Sequence, residues 1–372
     1  MLDLETITTI IFFVLIGILL VKDRKKVQFF YGIIIRRWKK GKETIDKLVK
    51  HKKFLQNIGD AAIVVGLLAS VFSLYILIIF NIRLQQAFAP VLPSIAGYTY
   101  PKPIVTIPSF WYWIIGIFIV IASHETMHAI FSRMEKIPIK NYGVLLFLFW
   151  PLGAFVDIDM KKIKKLKFTK KLRIFTAGSF GNIVFGFIFL FLAICFSRYF
   201  YVPVGVGFEQ TQKGFPAYEA NLSGIITSIN NQKIRNLDEL VFILNNTKPG
   251  EIINITTTAG NYSIKTVNRP DNKSGAYIGI SGLYTFSDVK KEFQDIKSVI
   301  SWIWGLLFWL FIISMGVGFF NMLPIKPLDG GLVYEEIFKK FLHKRGKIVI
   351  RIVSIFILAL LLFNIFGIGI LK

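Results

Sequence analysis

The chain has 372 residues, 54% of them hydrophobic, and a mean hydropathy of +0.58, which excludes an ordinary soluble enzyme and points to a membrane protein. Its formal net charge is +23, but the cations gather at the ends of apolar runs, as topology signals do, and not over a nucleic-acid-binding surface. A single cysteine, Cys195, excludes a disulfide within the chain and thiolate metal ligation as a main theme.

The first apolar run, Ile10 to Val21, follows Asp3 and Glu5 and precedes Lys22, Arg24, Lys25 and Lys26. That charge order is the reverse of a cleavable signal peptide and fits a retained helix with its N-terminus outside. Residues 22–53 carry thirteen Lys and Arg against three Asp and Glu, the pattern of a cytosolic loop. A second span runs from about Ala61 to Ile82. Residues 83–108 then hold five prolines and two cations and read as an external loop without regular structure.

The third span, about Ser109 to Met134, carries His124-Glu125-Thr126-Met127-His128 after an uncharged stretch from Phe110 to Ala122. Positions i and i+4 share one helix face, so His124 and His128 can grip one metal ion, and Glu125 can reach a water there as general base. This is the H-E-x-x-H logic of zinc peptidases. A histidine in an apolar helix can also be a satisfied packing residue, but ionisable groups in a membrane-length helix mark function by default. At 1.5 Å per residue His128 lies about 7 Å from Arg133, so the site is expected within the bilayer but nearer its cytosolic face.

Val144 to Phe155 is apolar, too short to span, and interrupted by Pro151 and Gly153. It ends in Asp157 and Asp159 before Lys161 to Arg173, which holds eight cations and no acid. With both ends cytosolic, the segment reads as a re-entrant loop or hairpin dipping toward the site; an amphipathic interfacial segment is the plainer reading. The fourth span, about Ile174 to Ser197, opens with Ala177-Gly178-Ser179-Phe180-Gly181-Asn182. The small residues allow close helix contact, and Asn182 must find a polar partner.

From residue 202 to about 285 the character changes. Strand-like runs, Gly224 to Ile229 and Ile252 to Thr257, alternate with turn clusters at Asn230-Asn231 and Lys248-Pro249-Gly250, with a short helix from Leu237 to Leu244 between them. By alternation this small β-rich domain falls outside. The fifth span, about Val299 to Phe320, runs into Asn321-Met322-Leu323-Pro324-Ile325-Lys326-Pro327-Leu328-Asp329-Gly330-Gly331. The prolines break the helix, the glycines let the backbone turn tightly, and Asp329 can complete a site of two histidines and one carboxylate. A basic cytosolic piece with Lys339, Lys340, Lys344, Arg345 and Lys347 leads to the sixth span, Ile348 to Ile370. His51 and His343 lie in basic segments and read as solvated.

His124-Glu125-x-x-His128 in one span and Asn321-x-x-Pro324-x-x-x-Leu328-Asp329-Gly330 in a later one resemble the site-2 protease family of intramembrane zinc metalloproteases. Pro151 to Asp157 looks like that family's membrane-associated loop, and residues 202–285 resemble a PDZ domain, although the Gly-Asp step common in such domains is missing near Ser223-Gly224. Ser179 stands where the family usually has proline. The resemblance covers about residues 109–332.

The resemblance implies one Zn2+ per chain held by His124, His128 and Asp329, with Glu125 catalytic, and Asn182 and Asn321 bonding substrate backbone or the oxyanion. It implies a polytopic α-helical membrane protein of about six transmembrane helices with a re-entrant loop and a small extracytoplasmic β-rich PDZ-like domain. The divisions are 1–108, two spans and their loops; 109–201, the first part of the core; 202–285; 286–346, the second part of the core; and 347–372. The expected substrate is a single-span membrane protein, cleaved by regulated intramembrane proteolysis in a prokaryotic cell membrane to release a cytosolic fragment. No nucleic acid is involved; the PDZ-like domain would contact peptides or ectodomains. A membrane metal-ion transporter explains the ligands but not Glu125. A catalytically inactive scaffold of the same fold is the other alternative.

Overall fold

A computed structural model describes residues 4–38, 42–94, 105–107, 109–147, 150–270 and 275–368. The chain divides into two compact units, residues 1–193 with 305–372, and residues 194–304. Among the described residues, six helices are long and apolar enough to cross a membrane.

In the first unit, α1 (Leu4–Lys22) is followed by β1 (Val27–Phe30), β2 (Ile33–Trp38), α2 (Lys42–Leu48) and α3 (Lys52–Ile82). Then come β3 (Val91–Pro93), β4 (Val105–Ile107), α4 (Phe110–Met134), β5 (Ile139–Phe147), β6 (Trp150–Ile158), α5 (Met160–Ile163) and α6 (Phe168–Phe200). Ser109 caps α4 by accepting from the Trp111 N–H at 3.2 Å. β1, β2, β5 and β6 form one antiparallel sheet in that order, so β6 is an edge strand, and it lies along α4.

Within the basic segment 22–53, β1 and β2 form a hairpin whose Gly32 takes a φ of +79° in the turn, and β2 pairs with β5 from Ile33↔Phe147 to Trp38↔Tyr142. Charge counting alone missed the β-branched run Ile33-Ile34-Ile35. The segment from Val144 to Phe155, expected as a re-entrant loop or hairpin, pairs its described residues as antiparallel strands β5 and β6 of the four-stranded sheet, which satisfies their amides. Of the expected loop 83–108, β3 and β4 pair in parallel, while residues 95–104 and 108 lie outside the described residues.

The second unit holds β7 (Tyr201–Gly207), β8 (Gln210–Thr211), α7 (Pro216–Glu219), β9 (Ile226–Ile229), β10 (Gln232–Lys233), α8 (Leu237–Asn246), β11 (Ile252–Thr257) and β12 (Asn261–Lys265). It continues with β13 (Val267–Asn268), β14 (Ala276–Tyr277), β15 (Ile280–Ser281) and β16 (Tyr284–Val289). The main sheet runs β12-β11-β9-β7-β16, with β10 on β9. Asn230 and Asn231 both take positive φ, +47° and +64°, as a two-residue hairpin between β9 and β10 requires. Asn236 caps α8 by accepting from the Glu239 N–H at 2.9 Å. Ile226, Ile229, Ile234, Leu240, Ile253 and Ile255 are fully buried in its core, each worth about 1.5–3 kcal/mol.

The chain returns with α9 (Lys297–Asn321), α10 (Asp329–Leu342) and α11 (Gly346–Leu362), which ends in a π-helical turn at Phe363–Gly367. Within the first unit the core joins α3, α4, α6 and α10 through Ala69, Phe131, Met134, Ile174, Ala177 and Val333. Lipid tails would be as apolar as these side chains, so their association rests on close packing and a few polar bonds. Ser70 Oγ meets Tyr334 OH at 3.2 Å, and Ser73 Oγ donates to Phe319 O at 2.9 Å. Leu68, Phe118 and Phe191 point apolar surface outward.

At the basic ends ion pairs join Arg133 to Asp46, Arg173 to Asp60 (2.7 Å), Lys170 to Glu135 and Lys171 to Glu336 (2.8 Å). The Arg133 hydrogen bond holds the Asp46 carboxyl below its ordinary pKa. His51 and His343 are exposed.

Candidate metal centre

His124 and His128 project from one face of α4, their ring centroids 4.7 Å apart. Asp329 is the first residue of α10, 201 positions after His128, and two features of the chain bring it there. The turn from Met322 to Ile325 is buried, and Ser354 of α11 secures it: its Oγ donates to Pro324 O and accepts from the Lys326 N–H, each at 3.2 Å. The first turn of α10 then packs directly on that backbone. A Cβ on Gly330 would lie 2.2 Å from Met322 O, and one on Gly331 2.5 Å from Ile325 O. These glycines are needed for close approach; neither takes a positive φ, contrary to the expectation that they turn the chain.

Three side chains converge as a result. His124 Nε2 is 3.1 Å from His128 Nε2, His124 Nε2 is 3.4 Å from Asp329 Oδ2, and His128 Nε2 is 3.3 Å from Asp329 Oδ1. A tetrahedral zinc with ligand bonds of 2.0–2.1 Å separates its ligand atoms by about 3.3 Å, so this donor set fits zinc in both type and spacing. His128 Nδ1 can only donate to the Ile174 carbonyl, 2.8 Å away, which leaves the Nε2 lone pair of the neutral ring for a metal.

One further observation supports the fit. A Cβ on Gly178 of α6 would lie 2.4 Å from His128 Nε2 and 2.6 Å from His124 Nε2. Gly178 therefore does more than let two helices touch; it opens the space that the imidazoles occupy. The neighbouring Ser179 Oγ donates to Asp329 Oδ2 at 3.0 Å, so the departure from proline at this position adds a hydroxyl donor.

Glu125 faces a cavity of about 390 Å³ whose wall also includes His128, Asp329, Arg37, Phe155 and Asp157. Its Oε2 accepts from the Val156 N–H at 2.8 Å. That amide is left out of the ladder because, among the described residues, β6 is an edge strand. Arg37 of β2, with its guanidinium carbon 5.6 Å from the Phe155 ring centre, was absent from the sequence reading. Its signal was the strand-like run Ile33 to Trp38 in which it lies.

The two asparagines are placed apart. Asn182 is fully buried, its amide 3.1 Å from His124 Nδ1 and 3.0 Å from Ser123 Oγ. These contacts hold His124, and the expected bond to substrate or oxyanion would fall to the amide's second N–H. Asn321 lines a different, largely apolar cavity of about 700 Å³, with Phe72, Trp113 and Phe320 in its wall.

A family model described as peptidase family M50 matches residues 112–363, from α4 to the end of α11. An uncharacterized protein of Methanocaldococcus jannaschii is 30% identical over 350 residues, covering 88% of this chain and 86% of that protein.

Proposed function

The chain belongs to peptidase family M50, a family of membrane metalloproteases, and from that premise we propose that it is an intramembrane zinc endopeptidase. Its substrate is the transmembrane segment of a single-span membrane protein, cut by regulated intramembrane proteolysis so that a cytosolic fragment is released. The observation that supports this reading best is Glu125 in the wall of one cavity together with His128 and Asp329. A transporter has no use for a carboxylate beside a three-ligand set.

His124, His128 and Asp329 would hold the ion, which when bound supplies Lewis acidity toward the scissile carbonyl and brings a water's pKa toward about 7. Glu125 would accept a proton from a water at the site and pass it to the leaving amine. A transmembrane helix has its amides already bonded, so it must unwind locally before it can be cut. The open edge of β6 offers such an unwound strand a set of backbone partners beside Glu125. Asn321 is our candidate for bonding substrate backbone farther along the span.

The basic segments support a cytosolic side for the ion-paired helix ends, and with them a site nearer that face. The β-rich unit is then extracytoplasmic. Its sheet and α8 support a PDZ-like reading, and it would restrict access by bulky ectodomains. The archaeal relative supports a prokaryotic cell membrane.

The test is Glu125→Gln in the full-length protein, assayed for zinc content and for cleavage of a model single-span substrate. Zinc is expected to remain near one per chain while cleavage falls by about 10²-fold or more. Wild-type protein without stoichiometric zinc, or a variant that cleaves normally, overturns the reading. Metal transport that persists in the variant would favour the transporter.

A further inference from the structure

All three candidate ligands receive their other polar contact from one helix. Ile174 O meets His128 Nδ1, Ser179 Oγ meets Asp329 Oδ2, and the Asn182 amide meets His124 Nδ1. The first two have their donors fixed by chemistry. The third depends on which end of the amide faces the ring, and the surrounding hydrogen bonds decide it.

With Nδ2 toward His124, the amide would donate to Nδ1 and leave the ring proton on Nε2, the atom that must be bare to bind a metal. The other end, Oδ1, would then need the proton of Ser123 Oγ. That hydroxyl has a single proton, and Val120 O already accepts it at 2.9 Å. Turning the amide by 180° settles both conflicts. Nδ2 donates to Ser123 Oγ, Ser123 donates to Val120 O, and Oδ1 accepts from Nδ1–H of His124. Each of these three contacts then pairs one donor with one acceptor, and His124 Nε2 is left with its lone pair.

We propose that Asn182 is a positioning residue that accepts the Nδ1 proton of His124 and so fixes the ring in its metal-binding tautomer, with Ser179 orienting Asp329 from the same face of α6. Asn182 and Ser179 are three residues apart and therefore neighbours on that face. The inference rests on the zinc reading above and adds a role for residues that touch no metal.

The experiment measures zinc affinity of the full-length protein in detergent by competition with a chromophoric chelator. Asn182→Leu removes the acceptor at similar volume and is expected to weaken zinc binding by about 10- to 100-fold. Asn182→Asp keeps an acceptor but cannot donate when ionised, and is expected to bind at least as tightly as wild type. Ser179→Ala should weaken binding as well. Unchanged affinity in Asn182→Leu, or an equal loss in Asn182→Asp and Asn182→Leu, overturns the proposal.

A second measurement needs no substitution at Asn182. The chain has only four histidines, so 15N spectra of the imidazoles can be assigned with variants at His51 and His343. In chelator-treated protein His124 is expected as the Nδ1–H tautomer. An Nε2–H tautomer overturns the proposal even if Asn182→Leu fails to fold. Wild-type protein that binds no zinc removes the zinc reading itself, whereas tight wild-type binding with an insensitive Asn182 removes only this inference.

Discussion

Glu125 Oε2 accepts a hydrogen bond from the backbone N–H of Val156 at 2.8 Å, joining the carboxylate of the H-E-x-x-H helix to the open edge of a β-sheet. The contact orients Glu125 with a donor that has no other partner in the ladder. Val156→Pro removes that donor at an edge position where proline is tolerated. Losing a hydrogen bond to a charged group is worth about 1.5–3 kcal/mol. Cleavage should fall by about tenfold or more with zinc content unchanged. Steady-state assays beside metal analysis check this; normal turnover would show that Glu125 does not depend on the strand.

Gly178→Ala offers a different test. Alanine stabilises a helix interior relative to glycine by about 1 kcal/mol, so the substitution should not unfold α6 by itself. Its Cβ would nevertheless lie 2.4 Å from His128 Nε2. Zinc content is expected to drop below half of the wild-type value while helical circular dichroism is retained. Full zinc occupancy in this variant would mean that α6 can retreat from the imidazoles.

Metal removal should be visible in stability. The three ligands join α4 to the start of α10, a link that only the folded chain makes. Free zinc at 100 times its dissociation constant would stabilise the fold by about 2.7 kcal/mol. The unfolding temperature should therefore fall on chelation and recover with added zinc, and His128→Ala should abolish the response. A zinc response that survives in His128→Ala would place the metal elsewhere.

Lys171 of α6 and Glu336 of α10 form a mostly buried pair at 2.8 Å, and Lys339 reaches the same carboxylate at 3.1 Å. Glu336→Gln leaves Lys171 without its counter-ion. Breaking a fully buried pair costs about 3–5 kcal/mol. The residual exposure here reduces the expectation to about 1–2 kcal/mol, because solvent screens the remaining charge. Thermal unfolding in detergent should show the loss, and Lys171→Met with Glu336→Leu should recover part of it. An unchanged unfolding temperature would mean that this pair contributes nothing net.

Much of the molecule could be read from the chain alone. The six apolar stretches identify themselves because a membrane imposes a minimum length on any helix that crosses it. His124, Glu125 and His128 could be grouped because helix geometry places i and i+4 together without help from the rest of the fold. Asn230-Asn231 announced a turn for the same local reason, and both residues take positive φ there. Asp329 could be named but not placed, since its approach to the histidines depends on the buried turn at Met322 to Ile325 and on two glycines without side chains.

Tertiary structure decided the remainder. Charge counting read residues 22–53 as a loop, and only the partner strand β5 reveals a hairpin there, because sheet pairing is non-local. Gly178 read as a helix-packing residue, Ser179 as a departure from the family's proline, and Asn182 as a bond to substrate or oxyanion. Their relation to three ligands on two other helices exists only once the helices are packed. A local pattern states which atoms could bind a metal; the neighbours that orient those atoms lie about 50 to 150 residues away, and no periodicity in the chain encodes them.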